Sequence, residues 1–362
     1  MSPAPSSLIA RQTLLVPRED YARKLEAMLP REVFRPVPRR LLWLPVHMAI
    51  MTACVVSIAR FENVFVRLFA GIVIGNSLGT LGFLGHEIMH GSVIRNRLLI
   101  RIFGGACMAH WGIAPWLWIT RHNRMHHQHT NDPFDDPDTF GSEALYRKSR
   151  AMRFLETFTP GSGTVQSIVF LFMWFTFHFG FVAFFYPIFK KRRDAITARI
   201  YFVLVHVVWA LLASRIDGGL IWLMLVPSAI SNFVMMAYVA TNHGLSPLTP
   251  LCNDPLVNTL TVRTPVFVEI MHLQNNFHIE HHLLPYVNPS HAPRIAPLAK
   301  SLWPELYQEM SHARALAQIY RTPRLYRSET VLVNPRTKRT ARTLLADAFE
   351  TMQKSFAAKD GP

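Results

Sequence analysis

Long apolar runs constrain this sequence more than any other feature, because about twenty consecutive apolar residues match the thickness of a bilayer when helical. Leu41 to Ile58 and Phe65 to Leu84 are two such runs. Only Arg60 to Asn63 joins them, so a helical hairpin is expected. Ser167 to Phe189, Ile200 to Ala213 and Leu220 to Ala240 follow. A weaker run, Leu98 to Trp118, is interrupted by Gly104, Gly105, Gly112 and Pro115.

Charge sets the expected orientation. Residues 1–40 hold eight Lys/Arg, and Lys190, Lys191, Arg192 and Arg193 form a second block. The turns assigned to the opposite side carry little: Arg60 in one, Arg215 with Asp217 in the other. Excess Lys/Arg marks cytoplasmic flanks, so both basic segments are placed inside. Ser167 to Phe189 and Leu98 to Trp118 then begin and end on that side and are read as interfacial or re-entrant. Four spans remain, as two hairpins with both termini cytoplasmic. The expected fold is an all-α integral membrane protein with a cytoplasmic helical cap. It divides into a basic N-terminal segment (1–40), a membrane domain (41–310) and a basic C-terminal tail (311–362).

The formal charge of +15 fits either a nucleic-acid partner or an anionic membrane face. The apolar runs decide for the membrane, and no nucleic acid is expected. Residues 1–40 contain no apolar core, so no cleavable signal peptide is expected. Cys54, Cys107 and Cys252 are far apart and odd in number, which argues against a disulfide framework.

Eight of the seventeen histidines fall in three tight groups: His86 and His90 in HEIMH, His122, His126 and His127 in HNRMHH, and His278, His281 and His282 in HIEHH. On an α-helix, residues three or four apart share a face. His86 and His90 then point together, as do His122 and His126, with His127 turned about 100° away. His278, His281 and His282 make one patch. Imidazole suits Fe, Zn, Cu and Ni. Eight imidazoles exceed the needs of one ion and suit two. Single solvated surface histidines are common, but three clusters at the ends of membrane spans are not explained that way.

These three motifs, in this order around two hydrophobic hairpins, resemble the three histidine boxes of membrane fatty acid desaturases and related hydroxylases, over roughly residues 40–300. The resemblance implies a di-iron centre, dioxygen as oxidant and a long acyl chain as substrate. It also implies a further ligand near the end of the last span, where TNHGLS places His243 as a ninth histidine and Asn242 as a residue acting through water. Many relatives have Asp after the first box histidine. Here Glu87 stands there, expected to orient a ligand imidazole. No HPGG haem motif is present, so electrons are expected from a separate donor of the ferredoxin or cytochrome b5 type. The resemblance places the chain in a bacterial cytoplasmic membrane, or in the endoplasmic reticulum if eukaryotic. Hydroxylation of a lipid or carotenoid shares the same ligands and stays open.

HEIMH also fits HExxH, with two zinc ligands and a glutamate base, so an intramembrane protease is an alternative; it leaves the other boxes unexplained. A metal carrier would need ligands within the spans, where only the scattered His47, His178 and His206 lie. His129 is read as support for the boxes, His272 as support or a tunnel residue, and His110 and His291 as structural. Asp132, Asp135, Asp136 and Asp138 form either a solvated turn or support for box two. Trp111, Trp116 and Trp118 read as an interfacial aromatic belt, some of them tunnel-lining. Arg321, Arg324, Arg327, Arg336, Lys338, Arg339 and Arg342 are expected to lie on anionic lipid or to dock an acidic electron donor.

Overall fold

A computed structural model describes residues 15–185, 189 and 191–359; Lys190 and residues 1–14 lie outside them. The fold is mostly helical. Five helices are long and apolar enough to cross a membrane: Pro38–Arg60, Val64–Met89, Val165–Phe185, Arg192–Ala213 and Leu220–His243. Four coincide with the expected spans. Val165–Phe185 is the run assigned to the interface, yet by length and composition it qualifies as fully as the others. The interrupted run is a bent pair, Arg97–Trp111 and Pro115–His126, turned by 92°. Gly112 closes the first arm in the left-handed region at φ 67°, and Pro115 opens the second. The bend therefore falls where glycine permits it and proline starts a new helix.

The second and fifth long helices pack closely because the second is notched by glycine on the facing side. A Cβ on Gly75 would lie 2.6 Å from Cβ of Ile230, and one on Gly79 would lie 2.7 Å from Cγ1 of Val234. Apolar burial gives helices little reason to associate in lipid, so close approach at small residues supplies it. Asn63 starts the second helix, its side-chain oxygen accepting the N–H groups of Phe65 and Val66. One turn in, Arg67 pairs with Asp217 at 3.1 Å, which ties the two hairpin turns together.

Much of the chain outside the long helices folds around the opposite ends of these two. Tyr21 and Leu25 of helix Arg18–Met28 share a core with Ile279 and Leu283 of helix His278–Leu283, which carries box three, and with Ile295. Buried Asp254 anchors this segment, accepting the Val16 N–H at 2.9 Å and the Tyr21 hydroxyl at 3.1 Å. Its burial pushes that carboxyl up to about 7.

Two small sheets correct the all-α expectation. Thr261–Arg263 pairs in parallel with Glu309–Ser311. Leu325–Tyr326, Val331–Val333 and Thr340–Arg342 form an antiparallel sheet. Residues after 310 are built into the body, with Ala315 and Ile319 in the main core. Several of the basic residues there are committed internally. Arg324 is buried and donates to the Gly244 carbonyl just after the fifth helix. Arg327 pairs with Glu143, Arg336 with Glu156 and Arg342 with Glu350, all within 3 Å.

Candidate metal centre

His86 stands in the last turn of the second long helix, with His90 as its C-terminal cap. His243 is the final residue of the fifth. The other boxes lie on shorter pieces, Ile119–His126 and His278–Leu283. All nine histidines converge. One ring nitrogen from each of His86, His90, His122, His127 and His281 lies within 4.8 Å of the others, and the same holds for His126, His243 and His282. His278 joins the second set, its Nε2 lying 2.8 Å from that of His243 and 3.1 Å from that of His282.

The facial assignments made from α-helical spacing are corrected by one local feature. Ile119–His126 is a π-helix, and the His127 N–H donates to the His122 carbonyl five residues back at 3.0 Å. The wider turn puts His122 and His127 together, with Nε2 atoms 3.1 Å apart, and sends His126 to the second set. Box three is also divided: His278 and His282 share the second set, and His281 faces His127 at 3.0 Å. Turns of this kind recur at functional sites.

The nitrogen geometry fits a cation in each set. The Nε2 of His122 lies 2.9 Å from that of His86 and 3.1 Å from that of His127. A neutral ring nitrogen carries one proton or one lone pair, so it cannot satisfy two such neighbours. Ligand nitrogens about 2.1 Å from one ion and at right angles sit ~3 Å apart, which is the spacing seen. Burial holds the imidazoles of His127, His278, His281 and His282 well below their ordinary range. They are therefore neutral near pH 7, each with a lone pair to offer.

Supporting bonds orient several rings. Asp136 is buried and its carboxylate takes the Nδ1–H of His126 at 3.0 Å. It also accepts the backbone N–H of Asn131 at 2.8 Å. His243 Nδ1 lies 3.3 Å from the Asn258 carbonyl, and His282 Nδ1 lies 3.3 Å from the Thr130 hydroxyl. The Asn258 amide donates to the Thr130 carbonyl at 3.0 Å. Of the acidic run, Asp136 serves a histidine, Asp138 pairs with Arg121, Asp132 caps the turn and Asp135 is exposed. Fixing a ligand's tautomer from behind typically carries 10–100-fold in metal affinity. Asp136→Asn is therefore expected to weaken metal retention by about that factor without unfolding the protein, as dialysis against a chelator would measure.

Other expected residues fall elsewhere. The Glu87 carboxylate receives the Asn288 amide at 2.8 Å and faces Arg40 at 3.4 Å, so its partners are these and not an imidazole. Asn242 is buried, lines the cavity described below, and neither atom of its amide has a partner among the described residues. His129 is exposed, which removes it from the support of the boxes. His272 bonds the Tyr238 hydroxyl at 2.9 Å and Asn76 at 3.3 Å. Trp111 is 1% exposed in the core, not in an interfacial belt. Sequence reading missed Arg40, Asn131, Asn258 and Asn288. Asn131 carried a detectable signal, since it precedes Asp-Pro and takes a positive φ of 56°.

A cavity of about 560 Å³ adjoins both histidine sets, within the range of ligand pockets. His122, His243 and His278 line it. Phe175, Phe179, Met235 and Val239 are among its apolar lining. The space suits an apolar chain laid against the metal centre.

Residues 63–314 match the family described as fatty acid desaturase. The chain is also 29% identical over 143 residues to the sn-1 linoleoyl-lipid 6-desaturase of Arthrospira platensis, covering 38% of this chain and 38% of that protein.

Proposed function

The chain belongs to the fatty acid desaturase family, and from that premise we propose that it is a membrane enzyme that introduces a double bond into an acyl chain. The observation that carries this reading is the meeting of nine histidines, in a set of five and a set of four, beside a largely apolar cavity. Two iron ions would be held by His86, His90, His122, His127 and His281, and by His126, His243, His278 and His282. Bound there, they would supply dioxygen activation and hydrogen removal from an unactivated C–H bond. The overall reaction consumes one dioxygen and two electrons, with two protons, per double bond, and releases two waters. A separate donor of the ferredoxin or cytochrome b5 type supplies the electrons.

The protein's own residues do the rest. Asp136 keeps the His126 proton on Nδ1, leaving Nε2 free to bind metal. Phe175, Phe179 and Val239 hold the chain in a dry channel, which protects the reacting carbon from water. Asn242, whose amide has no partner among the described residues, would hold a water beside His243. Glu87 braces box one through Asn288 and Arg40. The protease reading loses its base, because Glu87 turns to those partners and its two histidines join three more.

The same geometry supports an orientation. All boxes meet at the ends of the second and fifth long helices, so those ends share one side, which the basic segments assign to the cytoplasm. Four helices span, the third lies along the interface, and both termini are cytoplasmic. Reporter fusions after Gly163 and after Phe189 are then expected on the same side, and a fusion after Asp217 on the other. Opposite sides for the first two would make Val165–Phe185 a fifth span.

The direct functional test is lipid profiling of a desaturase-deficient host expressing this chain. New unsaturated acyl chains are expected. Hydroxylated lipid without new double bonds would move the assignment to the hydroxylase branch.

A further inference from the structure

The cavity wall contains a charged group that the proposed chemistry does not use. Trp118 and Arg121 lie one turn apart in the second arm of the bent pair, and both line the cavity. Arg121 is 4% exposed. Its guanidinium sits 4.3 Å from the centre of the Phe179 ring and pairs through Nη2 with Asp138. Its Nε–H has no acceptor among the described residues, and neither has the indole N–H of Trp118. Trp118 stacks on the same Phe179 ring at 5.5 Å. Both side chains can only donate, and a buried donor left without an acceptor is costly. The phenylalanines and methionines around them offer none.

Charge narrows the choice of acceptor. Asp138 neutralises Arg121, and Asp136 is taken up by His126. The other titratable group at this wall, His178, lies 3.6 Å from Asp138. The wall thus holds no surplus positive charge to favour a free carboxylate. A neutral oxygen with two lone pairs matches two waiting donors. Resting on the reading that this cavity holds an acyl chain, we propose that Arg121 and Trp118 bind the carbonyl oxygen of an esterified acyl group. This contact sets how far along the chain the carbon presented to the histidine centre lies, and so fixes the position of the double bond.

Binding separates this from the parent reading without any turnover. The purified metal-loaded protein is offered methyl stearate and octadecane in competition, with native mass spectrometry to score occupancy. Wild type is expected to favour the ester about tenfold, the scale of a charge-assisted hydrogen bond. Trp118→Phe keeps the ring and loses the donor, and is expected to cut that preference severalfold. Arg121→Gln/Asp138→Asn removes both charges together and is expected to erase it, with metal content measured alongside because Asp138 lies 3.5 Å from Nδ1 of His126. In cells the same pair is expected to scatter the double-bond position. Equal binding of ester and alkane by wild type overturns the inference, as does stearic acid displacing the ester. An unaltered preference in Trp118→Phe removes Trp118 from the subsite and overturns it as stated. Binding of neither probe would instead defeat the acyl-chain reading itself. The wild-type and Trp118→Phe comparisons decide the matter even if the paired variant fails to fold.

Discussion

Replacing His243 with alanine is expected to strip metal from the centre and abolish activity while the protein still inserts. His243 lies outside the three boxes, at the last residue of the fifth helix. Its Nε2 is 2.8 Å from that of His278, and its ring packs 4.8 Å from those of both His126 and His282. It is one of four imidazoles in its set, so its loss opens a coordination position rather than misorienting a ligand. The effect should exceed the ~10–100-fold that follows removal of a residue standing behind a ligand. The helix beneath should survive, because it is seated at Ile230 and Val234 against the glycine notches of the second helix. His291→Ala is the control. That residue is half-buried in the Pro289–His291 turn and belongs to neither set. Full iron and activity in His243→Ala would place the ninth ligand elsewhere.

The positions of the long apolar helices and the identity of the clustered histidines could be read directly from the sequence. Apolar runs and imidazoles three to five residues apart are local signals, and the bilayer leaves little freedom in how they are used. Even His243, a lone histidine just past an apolar run, was legible once the resemblance pointed to that place. The division of histidines between the two sets was not. Spacing was converted to faces with 3.6 residues per turn, and the π-helix at Ile119–His126 invalidates that conversion for box two. Support from a distance was also hidden. Arg40 and Asn288 reach Glu87 across more than forty and two hundred residues of chain respectively, and nothing local marks either. Of the acidic run after box two, Asp136 makes the close contact with a ligand nitrogen, at 3.0 Å against 3.5 Å for Asp138, a distinction set by the turn around Asn131 and not by composition. The C-terminal basic residues looked free because their partners, Glu143, Glu156 and Glu350, are distant in sequence or lie on another element.

Metal stoichiometry tests the central claim most directly. Nine histidines, eight of them buried, share their nitrogens as a five and a four, and neutral rings cannot satisfy one another in that arrangement. A cation in each set resolves the conflict, and imidazole ligation of this kind accepts iron or zinc. The measurement is elemental analysis of the protein purified under conditions that retain metal, referred to protein concentration by amino-acid analysis. Two irons per chain are predicted. A single zinc with no iron would contradict the account, dissolving the two-set reading and returning HEIMH to the alternative of one hydrolytic metal.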